Sequence, residues 1–303
     1  MTFELYTTPS QKLSQRSIQL PPYQRDKGVN DSSKYIASEE LKNAVNVALA
    51  LGQPLLLTGE PGTGKTQLAA NIAWQLELTM EKFHTKSSSK ATDLFYHYDS
   101  LRHFHDAQLK DKVKIDPRDY IRLQALGKAI VNSPSLRTVV LIDEIDKAPR
   151  DFPNDVLNEL ENMDFAIPEL NKHYEVTEQN RPVVVITSNS EKNLPDAFLR
   201  RCVFYHIPFP NRDLLFKIVN SRLRLRSQFT EAMKAAAIDH FLQIRAYDLR
   251  KKPATAELLS WVHILDKLGI DPKSKDPDHI LKRIQTYSVL AKNKDDLDKM
   301  VAP

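Results

Sequence analysis

Apolar residues along this chain fall into two arrangements. Up to about residue 210, short unbroken apolar runs alternate with stretches at helical spacing; beyond it, only the helical spacing continues. Leu55-Leu56-Leu57, Val139-Val140-Leu141-Ile142 and Val183-Val184-Val185-Ile186 are too short for helices. Runs of that kind predict strands covered on both faces, as in a parallel sheet. A fourth run, Val203 to Ile207, stops at Pro208-Phe209-Pro210. Between the runs lie amphipathic helices. Ser38 is an N-cap with Glu39 and Glu40 in the first turn, and the helix it opens carries Leu41, Val45, Ala48 and Leu51 before Gly52 ends it. A second helix presents Leu68, Ile72, Ala73 and Leu76.

Strands separated by helices predict an α/β class with a parallel sheet sandwiched by helices. After Pro210 the pattern predicts a small all-helical C-terminal domain, with helices over about 211–224, 228–245, 254–268 and 277–301. The expected organisation is therefore an N-terminal arm or linker over 1–33, an α/β core over 34–209 and a helical domain over 210–303. Within the core, aromatic and polar residues alternate from Asp93 to Asp106. That alternation predicts a β-hairpin turning at Asp99-Ser100, an insertion of about 92–108. A longer polar stretch with Lys110, Lys112 and Lys114 follows it. Phe165 to Tyr174 predicts a second hairpin, in which Pro168 argues against a central strand.

Composition narrows the class without naming it. Lys plus Arg exceed Asp plus Glu by 43 to 39, a net charge of +4 that is too mild to argue for a nucleic-acid partner. One cysteine, Cys202, allows no internal disulfide and fits a reducing, cytoplasmic compartment. No stretch approaches the apolar length of a membrane span, and MTFELYTTPSQK has no secretory apolar region.

Glycine is placed unevenly. The chain has only seven, and three of them fall at 59, 62 and 64. Gly59-Glu60-Pro61-Gly62-Thr63-Gly64-Lys65-Thr66 matches G-x-x-x-x-G-K-[ST] in full. That string alone arises by chance in roughly one chain of this length in a hundred. Its place, after the strand Leu55–Leu57 and at the opening of a helix, is what the phosphate-cradling mechanism requires. Glycines let backbone N–H groups curl around an anion, and the helix N-terminus adds its partial positive charge. Lys65 is expected to reach the β- and γ-phosphates of ATP or ADP, Thr66 to place its hydroxyl on Mg²⁺, and Gln67 to complete the nucleotide-contacting run.

Asp143 and Glu144 end the apolar strand in VVLIDEID, at the edge where ligands bind in open α/β sheets. Asp143 is expected to hold Mg²⁺ through its water shell and Glu144 to polarise an attacking water, which favours hydrolysis over transfer to a substrate. Asn293-Lys294-Asp295-Asp296 matches a guanine signature, but it lies in a polar helical stretch and predicts a solvated helix face. The basic clusters at Arg222, Arg224, Arg226 and at Arg250 to Lys252 predict a solvated surface or one facing nucleotide phosphates.

With this loop, the acidic strand and Thr187-Ser188-Asn189 closing the next strand, the chain resembles the AAA+ ATPases. LLLTGEPGTGKT, VVLIDEIDKAP and LPDAFLRRCVFYHIPFP are most similar to the MoxR-type, dynein-related branch. The resemblance covers roughly 35–210 clearly and the helical end more loosely. It implies an ATP-hydrolysing core with a helical lid, assembled as a homo-oligomeric ring, commonly of six, that remodels or assembles a protein partner. A partner with a von Willebrand factor A domain is implied as well. Asn189 is implied as the sensor of the γ-phosphate, and Arg201, with Arg200 as the alternative, as the finger acting on a neighbouring subunit's nucleotide. Adenine is expected near Tyr35 and Ile36. The family's second sensor has no matching arginine here, and Lys252 is the residue that can stand in its place. The resemblance also implies that an insertion near 92–108 faces the ring's pore. Two other readings share the same site: a clamp-loader-like or DNA-remodelling ATPase, which Arg201-Cys202 suggests, and a slow nucleotide-dependent assembly switch.

Overall fold

A computed structural model of the chain describes residues 31–108, 116–189 and 194–301. These divide into two units, 37–209 and 31–36 together with 210–301. The arm expected over 1–33 and the lysines at 110, 112 and 114 lie outside the described residues, apart from 31–33.

The first unit opens with α1 (Glu39–Leu51), capped by Ser38 Oγ, which accepts from the Leu41 N–H at 3.2 Å, and closed by Gly52 in the left-handed region. Then follow β1 (Leu55–Thr58), α2 (Lys65–Gln75), β2 (Thr79–His84), β3 (Tyr96–Tyr98), α3 (Ser100–Gln108), β4 (Ile121–Leu123), α4 (Ala125–Asn132) and β5 (Thr138–Asp143). The unit continues with α5 (Phe152–Asp155), α6 (Leu157–Asn162), β6 (Asp164–Ile167), β7 (Lys172–Glu175), β8 (Val183–Thr187), α7 (Asp196–Leu199) and β9 (Val203–His206). Five strands form one parallel sheet in the order β2-β5-β8-β1-β9. β5 and β1 are buried along their whole length and β8 at all but its first residue, as their continuous apolar sequences require.

β2 carries no such run. Four of the six residues in its sequence TMEKFH are polar, and only Phe83 is buried, because the strand lies at the sheet edge with a single neighbour, β5. Apolar continuity cannot reveal a strand that has one face and one edge in water.

The hairpin expected at Asp99-Ser100 is absent. β3 does form, but it pairs antiparallel with β4, with Tyr98 opposite Ile121, and α3 starts where the turn was expected. Asp99 is the reason: its carboxylate accepts from the Arg102 N–H at 3.0 Å, so it initiates a helix instead of a reversal. α3 leaves Leu101 and Phe104 exposed, at 78% and 62%. Gly127 in α4 permits a close approach at this insertion, since a β-carbon there would meet the Phe95 carbonyl oxygen at 2.0 Å. The second hairpin is present: β6 and β7 pair antiparallel around a short 3-10 turn at Pro168–Leu170.

The other unit contains α8 (Arg212–Arg222), α9 (Glu231–Ala246), α10 (Thr255–Leu268), α11 (Pro277–Gln285) and α12 (Lys294–Val301). Its interior gathers Phe241, Leu258, Trp261, Val262 and Leu265, each fully buried. Two surface expectations are corrected here. Asp296 is buried, its carboxylate accepting from the backbone N–H groups of Arg250 at 2.8 Å and Lys251 at 3.0 Å, while Asn293 caps α12. The Asn-Lys-x-Asp string is thus spent on pinning the loop before α10. Arg222 is also buried, donating to the Asp31 carbonyl at 2.6 Å. A charged group accepts burial when hydrogen bonds replace its water, and both residues have them.

His240 packs on Trp261 and Tyr287 in this interior, and its Nε2 lies 2.5 Å from the Tyr287 hydroxyl. Burial, with the Arg283 charge adding to it, pushes the imidazole pKa down to about 4. Between pH 6.5 and about 4 the unfolded chain therefore binds a proton that the folded chain refuses, so stability falls as pH is lowered through this window. His240→Gln is expected to flatten that fall, measured by urea unfolding at several pH values with tryptophan emission in a Trp74→Phe background, where Trp261 alone reports. Equal pH slopes in both proteins would remove His240 as the cause.

Candidate functional site

The glycine loop, the acidic pair and the Thr187–Asn189 segment leave β1, β5 and β8, three adjacent strands, at their carboxyl ends. Parallel strands place all three ends on one edge, which is where α/β sheets bind ligands. The loop itself is shaped by backbone freedom. Gly59, Gly62 and Gly64 have φ of 141°, 77° and 95°. At Gly59 a β-carbon would stand 2.4 Å from the Ile207 carbonyl oxygen, so no other residue fits. Thr63 Oγ1 donates to the Glu60 carbonyl at 2.9 Å across the loop that Pro61 also shapes. Gly64 is the N-cap of α2 and offers no side-chain acceptor, so the first N–H groups of the helix are left for an outside anion.

Lys65 is buried, and its Nζ donates to the carbonyls of Gly59 at 2.7 Å and Glu60 at 3.0 Å. Burial lowers its pKa, while Asp146, Glu144 and Asp143 oppose that effect. An ammonium held by two carbonyls of its own loop can exchange them for the oxygens of an anion.

Asp143 joins the elements. Its Oδ1 accepts from Thr66 Oγ1 and from Thr187 Oγ1, each at 2.9 Å, and its Oδ2 lies 3.0 Å from Lys82 Nζ. Burial by itself would raise this carboxyl's pKa. Hydrogen bonds from Lys82, Thr187 and Thr66, with the Lys82 charge, outweigh it and hold the group below the usual carboxylate range. Glu144 follows in the left-handed region at φ 59°, a conformation that costs a non-glycine residue about 1–3 kcal/mol. Its N–H donates to Thr187 Oγ1 at 2.8 Å, which holds it there. Asn189 Nδ2 donates to Glu144 Oε1 at 3.2 Å, and Lys147 pairs with Glu144 Oε2.

These residues suit a nucleotide with Mg²⁺. The cradle at Gly59 would be filled by any β-carbon, α2 begins without a capping side chain, and a hydroxyl and a carboxylate, both hard oxygen donors, converge at Thr66 and Asp143.

Lys65, Thr66, Asp143, Glu144 and Asn189 are thus brought together. Arg201 and Arg200 are not. They precede β9, whose Val203 is in register with Leu55, at the amino end of the sheet. At about 3.3 Å per residue, Arg201 lies roughly 20 Å along the strands from Gly59, beyond the reach of its side chain. There Arg201 Nε donates to Glu161 Oε2 at 2.8 Å, beside a cleft of about 370 Å³ lined also by Arg181, Arg200 and Cys202. Burial pushes the Cys202 thiol up to about 12. Ile36 and Lys252 belong to the other unit, Lys252 being exposed.

Three contributors are given no role by the motifs: Thr187, Lys82 and Lys147. Thr187 carries a signal, being a polar residue at the end of a buried strand. Lys82 and Lys147 are ordinary lysines until the fold seats them on carboxylates. Because one hydroxyl of Thr187 serves both acids, Thr187→Val is expected to leave the Glu144 N–H unsatisfied and cost about 1–3 kcal/mol. Thr187→Ser should recover most of it in urea unfolding. Unchanged stability in the valine variant would show that the link is not structural.

Residues 54–202 match the family model described as AAA domain (dynein-related subfamily). Over 232 residues the chain is 28% identical to a Lon protease of Finegoldia magna, a match covering 71% of this chain and 26% of that protein. It is 30% identical over 155 residues to a Lon protease of Malacoplasma penetrans, covering 48% of this chain and 17% of the relative. The chain spans about a quarter or less of the length of these relatives. Among solved structures it is similar to a RuvB point mutant of Thermotoga maritima, with a TM-score of 0.52 at 16% identity, covering 88% of this chain and 74% of the other. A second RuvB point mutant gives 0.51 at 16% identity, with 87% and 72% covered. At such identity the likeness is one of fold. The chain has the AAA+ P-loop fold, and its match to the dynein-related AAA domain over 54–202 supports an AAA+ ATPase.

Proposed function

We propose that this protein hydrolyses ATP with Mg²⁺ as a subunit of a homo-oligomeric ring of the MoxR-type branch, and that the ring remodels or assembles a protein partner. The observation that carries the reading is the convergence of Lys65 and Thr66 with Asp143, Glu144 and Asn189 at one sheet edge. Mg²⁺, when bound, neutralises charge on the β- and γ-phosphates. The chain's own residues do the rest. Lys65 leaves its two loop carbonyls for the phosphates, Thr66 would hold the metal by its hydroxyl and Asp143 through the metal's water shell, and Glu144 accepts the proton of the attacking water. Asn189, already hydrogen-bonded to Glu144, keeps that carboxylate aimed and reports whether the γ-phosphate is present.

A guanidinium on the far side of the sheet cannot serve its own subunit, so Arg201 supports a shared site in which each protomer completes its neighbour's. Arg200, beside it in the chain, is the alternative finger. Ile36 and Lys252, in the helical unit, are assigned to adenine and to the second-sensor position. α3, with Leu101 and Phe104 in water, is the face assigned to the protein partner, in keeping with a von Willebrand factor A domain protein or another folded client. Among the described residues no helix is long and apolar enough to cross a membrane, and the cytoplasm is the compartment assigned.

Glu144→Gln is expected to bind ATP within about threefold of the parent while turnover falls by about 10²–10⁴. Undiminished hydrolysis removes Glu144 from its role. Arg201→Ala and Lys65→Ala proteins should each be inactive alone and regain activity when mixed, because a mixed ring restores interfaces with one intact loop and one intact finger. A mixture that stays inactive, or an isolated subunit that hydrolyses ATP at full rate, contradicts the shared site.

A further inference from the structure

From the geometry we infer that Lys82 is a built-in counterion of the metal-site carboxylate: its ammonium takes the one oxygen of Asp143 that the hydroxyls leave open, and it must be displaced before a divalent cation binds there. The inference rests on the nucleotide reading above and adds to it a residue that sets how readily the site accepts its metal.

β2 and β5 run parallel, with His84 opposite Asp143 and Lys82 opposite Leu141. Alternation along a strand puts Lys82, His84 and Asp143 on one face of the sheet, while Phe83 points to the other and is buried in the core. A lysine two residues before the partner of Asp143 is thus aimed at it by backbone geometry, whatever happens at the glycine loop. The two oxygens of Asp143 are used differently. Oδ1 accepts two hydroxyl protons, from Thr66 and Thr187, whereas Oδ2 faces Lys82 Nζ at 3.0 Å and His84 Nδ1 at 3.7 Å.

Exposure gives this pair its weight. An ion pair in open water contributes little, because solvent screens both charges. Here the Asp143 side chain is 11% exposed and that of Lys82 29%, so the attraction is only partly screened. A divalent ion arriving at Asp143 therefore meets a carboxylate already neutralised and a positive charge within contact distance of it. Two cations, hydrated or not, cannot share Oδ2 without repulsion, so Lys82 has to swing towards solvent. Metal binding is thereby tied to the arrival of an anion, because phosphate charge offsets the cost of displacing Lys82, and free Mg²⁺ brings none. Lys82 acts through Asp143 and is a positioning residue, not a catalytic one.

The test uses Mn²⁺ as the probe, followed by the paramagnetic resonance of the full chain with saturating ADP. Lys82→Met keeps the stem and removes the charge. It is expected to lower the Mn²⁺ concentration that half-fills the protein–ADP complex by about three- to tenfold. Lys82→Arg, which keeps the charge, should remain within about twofold of the parent, and Lys82→Gln provides a second neutral variant should the methionine protein fold poorly. ADP affinity in the presence of a chelator should be nearly unchanged in all of them. Mn²⁺ binding that is equal or weaker in both neutral variants overturns the inference, as does an equally large change in ADP affinity without metal, which would place Lys82 on the phosphates instead. If the parent forms no complex with Mn²⁺ and ADP, the site at Thr66 and Asp143 falls, and the inference with it.

Discussion

A single buried carboxylate holds this site together. Asp143 ends the apolar strand β5, is 8% exposed, and would be costly there without partners. Its partners come from three directions: Thr66 at the start of α2, Thr187 at the end of β8, and Lys82 on the edge strand β2. To satisfy one acid the fold must bring the glycine loop's helix, the neighbouring strand and the sheet edge to fixed positions. The same requirement sets the oxygens of Thr66 and Asp143 beside the glycine loop. Packing of the sheet and preparation of the site are here one physical constraint.

Strain is concentrated around that point and offset locally. Glu144 occupies a left-handed conformation, and the hydrogen bond from its N–H to Thr187 holds it. Gly59 passes so close to Ile207 that a side chain would collide with backbone. Neither feature aids folding on its own account. Both aim groups at the space beyond the strand ends, with the buried apolar strands behind them supplying the rigidity. At the opposite edge Arg181 is structural. Its guanidinium donates to the carbonyls of Gly52 at 2.9 Å and Glu161 at 2.7 Å, satisfying the ends of α1 and α6. Arg201 uses the carboxylate of the same Glu161, so two arginines engage one residue in different ways, one tied to main-chain carbonyls and the other to a side chain it can exchange.

The helical unit shows how charge can be mistaken for surface. Asp296 and Arg222 lie in polar stretches that read as solvated, yet each is buried, because backbone groups replace its water. Asp296 fixes the backbone of Arg250 and Lys251, and so the approach to α10, where Lys252 stands. A sequence records that a residue is charged; whether a main-chain N–H or carbonyl waits for it depends on the folded path of a distant segment.

The same distinction runs through the whole protein. Local chemistry in the chain was enough to establish the four apolar strands, the caps at Ser38 and Gly52, the second hairpin around Pro168, the glycine loop and the acids at the end of β5. Each depends on residues within a few positions of one another, through periodicity, capping or φ freedom. The tertiary structure alone decided the rest. β2 escaped notice because an edge strand needs only one apolar face. β3 found its partner more than twenty residues on, at β4, and a helix capped by Asp99 stands where the turn at Asp99-Ser100 was read. The roles of Thr187, Lys147 and Lys82 depend on side-chain contacts set by register and turn geometry, and for Lys82 and Thr187 the contact is with an acid on a neighbouring strand. No local pattern encodes strand order or register, since both follow from how buried faces close over one another, and only that closure makes Lys82 a neighbour of Asp143.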